Sequence, residues 1–115
     1  MPVVPATIGH QHVVASGHEL ATFAAFEILE NGGNAVDAGV AAILSLGVLY
    51  SDQVSVAGVA PMMIHDAASA QTVTVDGVGG WPAALDVDGY IERHGGEIPL
   101  GVRRTVVPAA PSACL

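Results

Sequence analysis

Arg103 and Arg104 are the neighbouring side chains best suited to chemistry on a small ligand in this 115-residue chain. A guanidinium can hold a carboxylate through two parallel hydrogen bonds, and cations are scarce here, with three Lys+Arg in all. The pair precedes the apolar stretch Thr105-Val106-Val107-Pro108, and these residues by themselves favour a solubilising surface pair over carboxylate binding. The other polar groups are weaker. His10 and His12 would face one way on an extended segment, but a metal site needs at least a third ligand, and a solvated arm or ordinary packing is expected. His18, His65 and His94 are scattered, and no serine or cysteine stands in a nucleophile-elbow pattern. Asp86 with Asp88, and Glu92 with Glu97, read as solvated acidic faces rather than catalytic pairs. Gly77-Val78-Gly79-Gly80 follows a strand candidate without opening a clear helix, so a phosphate cradle is not supported. No catalytic residue, metal or cofactor is expected within these residues.

The elements that position the arginines carry little charge. Hydrophobic residues make up 51% of the chain and charged ones 12%, with 14 glycines besides. Charged residues ordinarily reach about 25%, and a free domain this poor in charge has difficulty covering its surface. One domain or less fits this length. The expectation is a single incomplete domain over 1–115, a layer of a larger body. A net charge of −8 excludes nucleic acid as a partner, because phosphate binding needs a basic footprint. Anionic membrane is unsuited for the same reason. Cys114 is the lone cysteine and supports no disulfide framework. Met1 to His12 lacks the basic region and apolar core of a secretion signal, and a cytoplasmic location is expected.

Met1 to Gly9 reads as an irregular arm and His12-Val13-Val14-Ala15 as a short strand. Ser16 with Glu19 fits a capping box opening a helix over 19–31. Its spacing gathers Leu20, Ala21, Ala24, Ala25, Ile28 and Leu29 on one side, while Phe23 and Phe26 fall among the glutamates and call for a partner surface. Gly32 or Gly33 is suited to the left-handed conformation that stops a helix. Asn34 caps the next, with Asp37 near the positive end of its dipole. That second helix, from Ala35 to about Tyr50, is apolar all round but for Asp37 and Ser45, and such a helix belongs inside a body. Gly39 then permits close approach of a neighbour. Pro61–His65 and Thr72–Val75 form a hairpin about Asp66-Ala67-Ala68-Ser69-Ala70. Gly77–Gly80 is a turn, Asp86–His94 a short helix ended by Gly95-Gly96, and Arg103–Pro108 an extended stretch. The last residues look like the beginning of a further helix.

The run Asn31-Gly32-Gly33-Asn34-Ala35-Val36-Asp37-Ala38-Gly39-Val40-Ala41-Ala42, with Gly17-His18-Glu19-Leu20-Ala21-Thr22 before it, resembles the gamma-glutamyltranspeptidase family. There a "GGNAVDAAVA" block joins two helices near the start of the large subunit. Met62-Met63-Ile64-His65-Asp66 and Val73-Thr74-Val75-Asp76-Gly77 are similar to the family's hairpin, and Thr105 to Pro111 resembles its "VPG" stretch. The resemblance covers about Val13 to Leu115. It implies an α+β fold: part of the N-terminal-nucleophile hydrolase αββα sandwich, contributing a short strand, a helical hairpin and a β-hairpin. It also implies a self-cleaving proenzyme whose small subunit begins with the attacking threonine, the amine of which serves as base. That threonine lies outside this chain. The partners implied are the remainder of the large subunit, the small subunit and a small amide or gamma-glutamyl substrate.

Two departures bear on the substrate. Where the family reads "DGRETAP", this chain has Asp76-Gly77-Val78-Gly79-Gly80-Trp81-Pro82, so Val78 replaces the arginine that grips the glutamyl carboxylate. The family's "SGIGGGGF" is replaced by Ser55-Val56-Ala57-Gly58-Val59-Ala60-Pro61-Met62. Both look more like the divergent transpeptidase-like branch that includes amidohydrolases of small amides such as oxamate. Arg103 and Arg104 are then the candidate carboxylate contacts. A true gamma-glutamyltransferase, or an inactive remnant or structural module, are the alternatives.

Overall fold

Helix caps written into the sequence set the first half of the molecule. In the computed structural model, which describes residues 6–115, α1 spans Glu19–Glu30 and α2 spans Ala35–Leu49. Asn34 Oδ1 accepts from the backbone N–H groups of Val36 (2.8 Å) and Asp37 (3.0 Å), and Asp37 returns a carboxylate to the Asn34 N–H at 3.4 Å. This reciprocal box satisfies donors that the first turn of a helix leaves open. The hinge before it is equally determined. Gly32 sits at φ 86°, where a side chain would be strained. Its N–H donates to Leu29 O at 3.1 Å and that of Gly33 to Ile28 O at 2.8 Å, which is the paired closure of a Schellman turn.

The start of α1 differs from the sequence expectation. His18, not Ser16, is the N-cap: its Nδ1 accepts from the Leu20 N–H at 3.2 Å. Ser16 Oγ instead donates to His18 O at 2.9 Å and meets Thr22 Oγ1 at 2.7 Å. It lies two residues too early to reach the free amides of the first turn, so it ties the incoming chain to the helix. The expected strand His12–Ala15 does not form, because no described segment pairs with it and an extended stretch without a ladder is not a strand. His12 folds onto α1 instead, with Nε2 at 3.0 Å from Glu30 Oε1 and its ring 5.0 Å from that of Phe26. The irregular arm is seen over 6–9; its first five residues lie outside the described ones.

The most buried residues of the helical hairpin are small. Ala21, Ala25 and Ala38 are the buried ones, whereas Leu20, expected on the inner side, is exposed. Phe23 is 60% exposed and Val48 of α2 80% exposed. Gly39, expected to sit against a neighbour, faces open space, with nothing within 4 Å of where a Cβ would stand. A helix apolar on all sides is thus paired along one stripe only.

The chain divides between Ser55 and Val56 into two compact units. In the second, β1 (Met62–Asp66) pairs antiparallel with β2 (Gln71–Val75), Met62 opposite Val75 and Asp66 opposite Gln71. The turn is held by Asp66, whose carboxylate accepts from Ala68 N (3.0 Å), Ser69 N (3.3 Å) and Ser69 Oγ (2.6 Å). The ladder continues past the strands as Ala60 N–H donates to Gly77 O at 2.9 Å. Helix α3 (Val87–His94) is capped by Asp86, which accepts from Gly89 N at 3.0 Å, and ends at left-handed Gly95. A 3₁₀ turn, Val102–Arg104, precedes an extended run from Thr105, and α4 (Ala110–Cys114) follows. The described residues therefore form an α+β chain of four α-helices and one two-stranded sheet.

Candidate functional site

Arg103 and Arg104 lie in the 3₁₀ turn, not on an extended segment as the sequence suggested. Gly101 at φ 93° turns the chain, and its carbonyl accepts the Arg104 N–H at 3.0 Å. That turn separates the two side chains. Arg103 Nη1 lies 2.8 Å from His94 Nε2. Arginine has no acceptor, so the guanidinium donates and the imidazole nitrogen accepts, leaving the His94 proton on Nδ1. The His94 ring rests on Tyr90, with centroids 4.6 Å apart. Arg104 Nε donates to Ile98 O at 3.0 Å.

Both guanidiniums therefore have neutral partners. The third arginine differs, standing 3.8 Å from the Asp86 carboxylate as Arg93. Among the described residues no carboxylate forms an ion pair with Arg103 or Arg104, which leaves their charge available to a ligand.

The two arginines line a cleft of about 900 Å³ within the second unit. Its walls are mostly apolar: Val78, Trp81, Leu85, Ile91, Ile98 and Val107 among them. The Val78–Gly80 segment packs closely on the Val107 stretch. A Cβ on Gly79 would run into the Val107 carbonyl oxygen and side chain, so glycine is what permits the two backbones to approach. Val78 thus shares the cleft with both arginines. Glu97, expected on a solvated acidic face with Glu92, also lines it; Asp86 and Asp88 act at the start of α3, one as cap and one in the first turn.

His10 and His12 do not form part of any group of three or more potential metal ligands among the described residues, and His12 is engaged with Glu30. Cys114 is half-buried in α4. Sequence reasoning missed Trp81, Leu85 and Ile91 as cleft residues. A signal was present in Trp81, the single tryptophan, set between a double glycine and a proline.

The gamma-glutamyltranspeptidase family model matches residues 21–114. The chain belongs to the gamma-glutamyltranspeptidase family. It is 32% identical over 98 residues to the glutathione hydrolase proenzyme of Bacillus subtilis strain 168, covering 85% of this chain and 17% of that protein. The chain thus spans about one sixth of the curated relatives it matches. Among solved structures, it is similar to the gamma-glutamyltranspeptidase of Helicobacter pylori, with TM-score 0.76 and 26% identity over 98% of this chain and 32% of the other. The enzyme from Pseudomonas nitroreducens, solved with L-DON, gives TM-score 0.76 and 27% identity over 93% of this chain and 32% of the other.

Proposed function

We propose that this chain is the N-terminal part of the large subunit of a transpeptidase-like amide hydrolase, with its attacking threonine supplied from outside these residues. The fold would then be one part of an αββα N-terminal-nucleophile hydrolase sandwich, a single incomplete domain completed by the rest of the large subunit and by the small subunit. The exposed apolar sides of α2 and the exposed Phe23 support that reading, since further layers would cover them.

The substrate in this proposal is a small amide acid rather than a gamma-glutamyl compound. One observation carries it: Val78 and two acid-free arginines border the same cleft. Valine cannot grip a carboxylate, and Arg103 or Arg104 would take over that task from another wall. A glutathione hydrolase is the second reading, favoured by the identity of the Bacillus relative.

Kinetics of the complete enzyme decide between them. A higher kcat/KM for oxamate than for glutathione is expected, and the reverse order would establish the second reading. Arg104→Ala should lower kcat/KM for the amide acid by roughly one to two decades, the scale of a hydrogen bond to a charged group. An unchanged KM would remove Arg104 from the site. The 115 residues alone should turn over neither substrate; activity of the purified chain would refute the placement of the nucleophile.

A further inference from the structure

Beside its arginine edge the cleft leaves room for more than the small amide acid of the proposed function. Sites for small organic ligands commonly measure about 300–1,000 Å³ and are lined mainly by apolar side chains with few polar anchors. This one, at about 900 Å³, has Trp81 and Leu85 on the segment before α3, Ile91 on it and Ile98 after it. Trp81 is 71% exposed and leaves much of its ring surface open to stacking. At the edge stand Arg103 and Arg104, each hydrogen-bonded to a neutral group, with Glu97 as the single acid on the lining. Two cations against one anion leave that edge positive in a chain of net charge −8.

We infer that this cleft binds a carboxylate carrying an apolar body, an aryl- or branched-alkyl acid, with the carboxylate on the Arg103/Arg104 edge and the body along Trp81, Leu85 and Ile91. The inference deepens the amide-acid reading and rests on it for the part such an acid plays in a reaction. Charge selects the head group and the apolar wall selects the body. Burial of a flat ring against indole adds an attraction that acetate or oxamate cannot make.

Trp81, the only tryptophan of these residues, reports on occupancy. Its emission is followed while 3-phenylpropionate, acetate or 3-phenylpropanol is titrated into the 115-residue chain, with circular dichroism recorded in parallel. 3-Phenylpropionate should shift the emission to shorter wavelength at concentrations at least about tenfold below those needed for either other probe. The double change Arg103→Ala/Arg104→Ala should weaken it by at least about tenfold, and Glu97→Gln, which removes the one opposing charge of the lining, should tighten it. Equal binding of 3-phenylpropanol would mean a greasy surface only, and equal binding of acetate an arginine contact only; either overturns the inference, as does an unaffected double variant. Should the chain lack native circular dichroism, saturation-transfer NMR on the full-length protein must give the same order of probes, and another order overturns the inference. Hydrolysis of amide acids without this binding order refutes the cleft assignment alone. The binding order without hydrolysis refutes the proposed activity and leaves the site.

Discussion

The two units of this chain are held in opposite ways. The first is a helical hairpin specified by local devices: the Asn34/Asp37 box, the Gly32 hinge and the His18 cap. Its buried residues are alanines, and no large side chain is fully buried among the described residues. The second is a set of short elements joined by loops, in which distant backbones are clasped directly. Gly58 O accepts from the amides of Ala109 (3.0 Å) and Ala110 (3.1 Å), and Ala60 pairs with Gly77. The difference teaches where each unit is vulnerable. The first is robust to changes on its faces and sensitive at its caps; the second depends on close approach at a few positions.

The largest effect should come from the second unit. Gly79→Val would force the Val78–Gly80 segment off Val107, and overpacking of this kind costs about 1–3 kcal/mol. Denaturant unfolding should show the loss, together with a weakened response of Trp81 to the cleft ligand. A neutral outcome would mean that close approach does not hold this unit. In the first unit, Asn34→Ala should cost about 1 kcal/mol through the lost cap. Amide exchange at Val36 and Asp37, the donors to Asn34 Oδ1, is the direct measurement, and unaltered protection there would contradict the capping account.

Gly39 sharpens the contrast. Its open surroundings make Gly39→Ala stabilising by about 0.5–1 kcal/mol in this chain, because alanine loses less backbone freedom in a helix. In a complete enzyme whose further layers cover α2, Gly39→Leu should instead cost roughly 1–3 kcal/mol. Melting both variants in both contexts tests whether that face is covered.

The smallest effect concerns the hairpin. Asp66 has its carboxyl held below its ordinary value of 3.8, chiefly by the Ser69 hydroxyl, then by the Ala68 amide and last by the Ser69 amide, against an opposing effect of burial. The folded turn therefore prefers the ionised form. Its contribution is present above 3.8, where the unfolded carboxyl is charged too, and is lost as pH falls through the lower folded value. Ser69→Ala should move the Asp66 titration, read by NMR, back toward 3.8; no movement would remove the hydroxyl as the main cause.

The elements most legible in the sequence were those whose causes lie within a few residues. The second helix, its cap, the glycine hinge, the β-hairpin and the helix after Asp86 all carry local signals, and they occur within a residue or two of the expected bounds. The family was legible for the same reason, since its motif is one unbroken block around Asn34. What the sequence could not determine depended on partners far along the chain. His12–Ala15 has strand-forming residues but no ladder, and Ser16 has a capping side chain at the wrong distance from the free amides. Arg103 and Arg104 were visible as candidates, yet their turn, their neutral partners and the shared cleft with Val78 and Trp81 came only from tertiary structure. Capping and helix periodicity act over one or two turns of chain. A cleft is made by segments some 25 residues apart, and only their packing decides which side chains face each other.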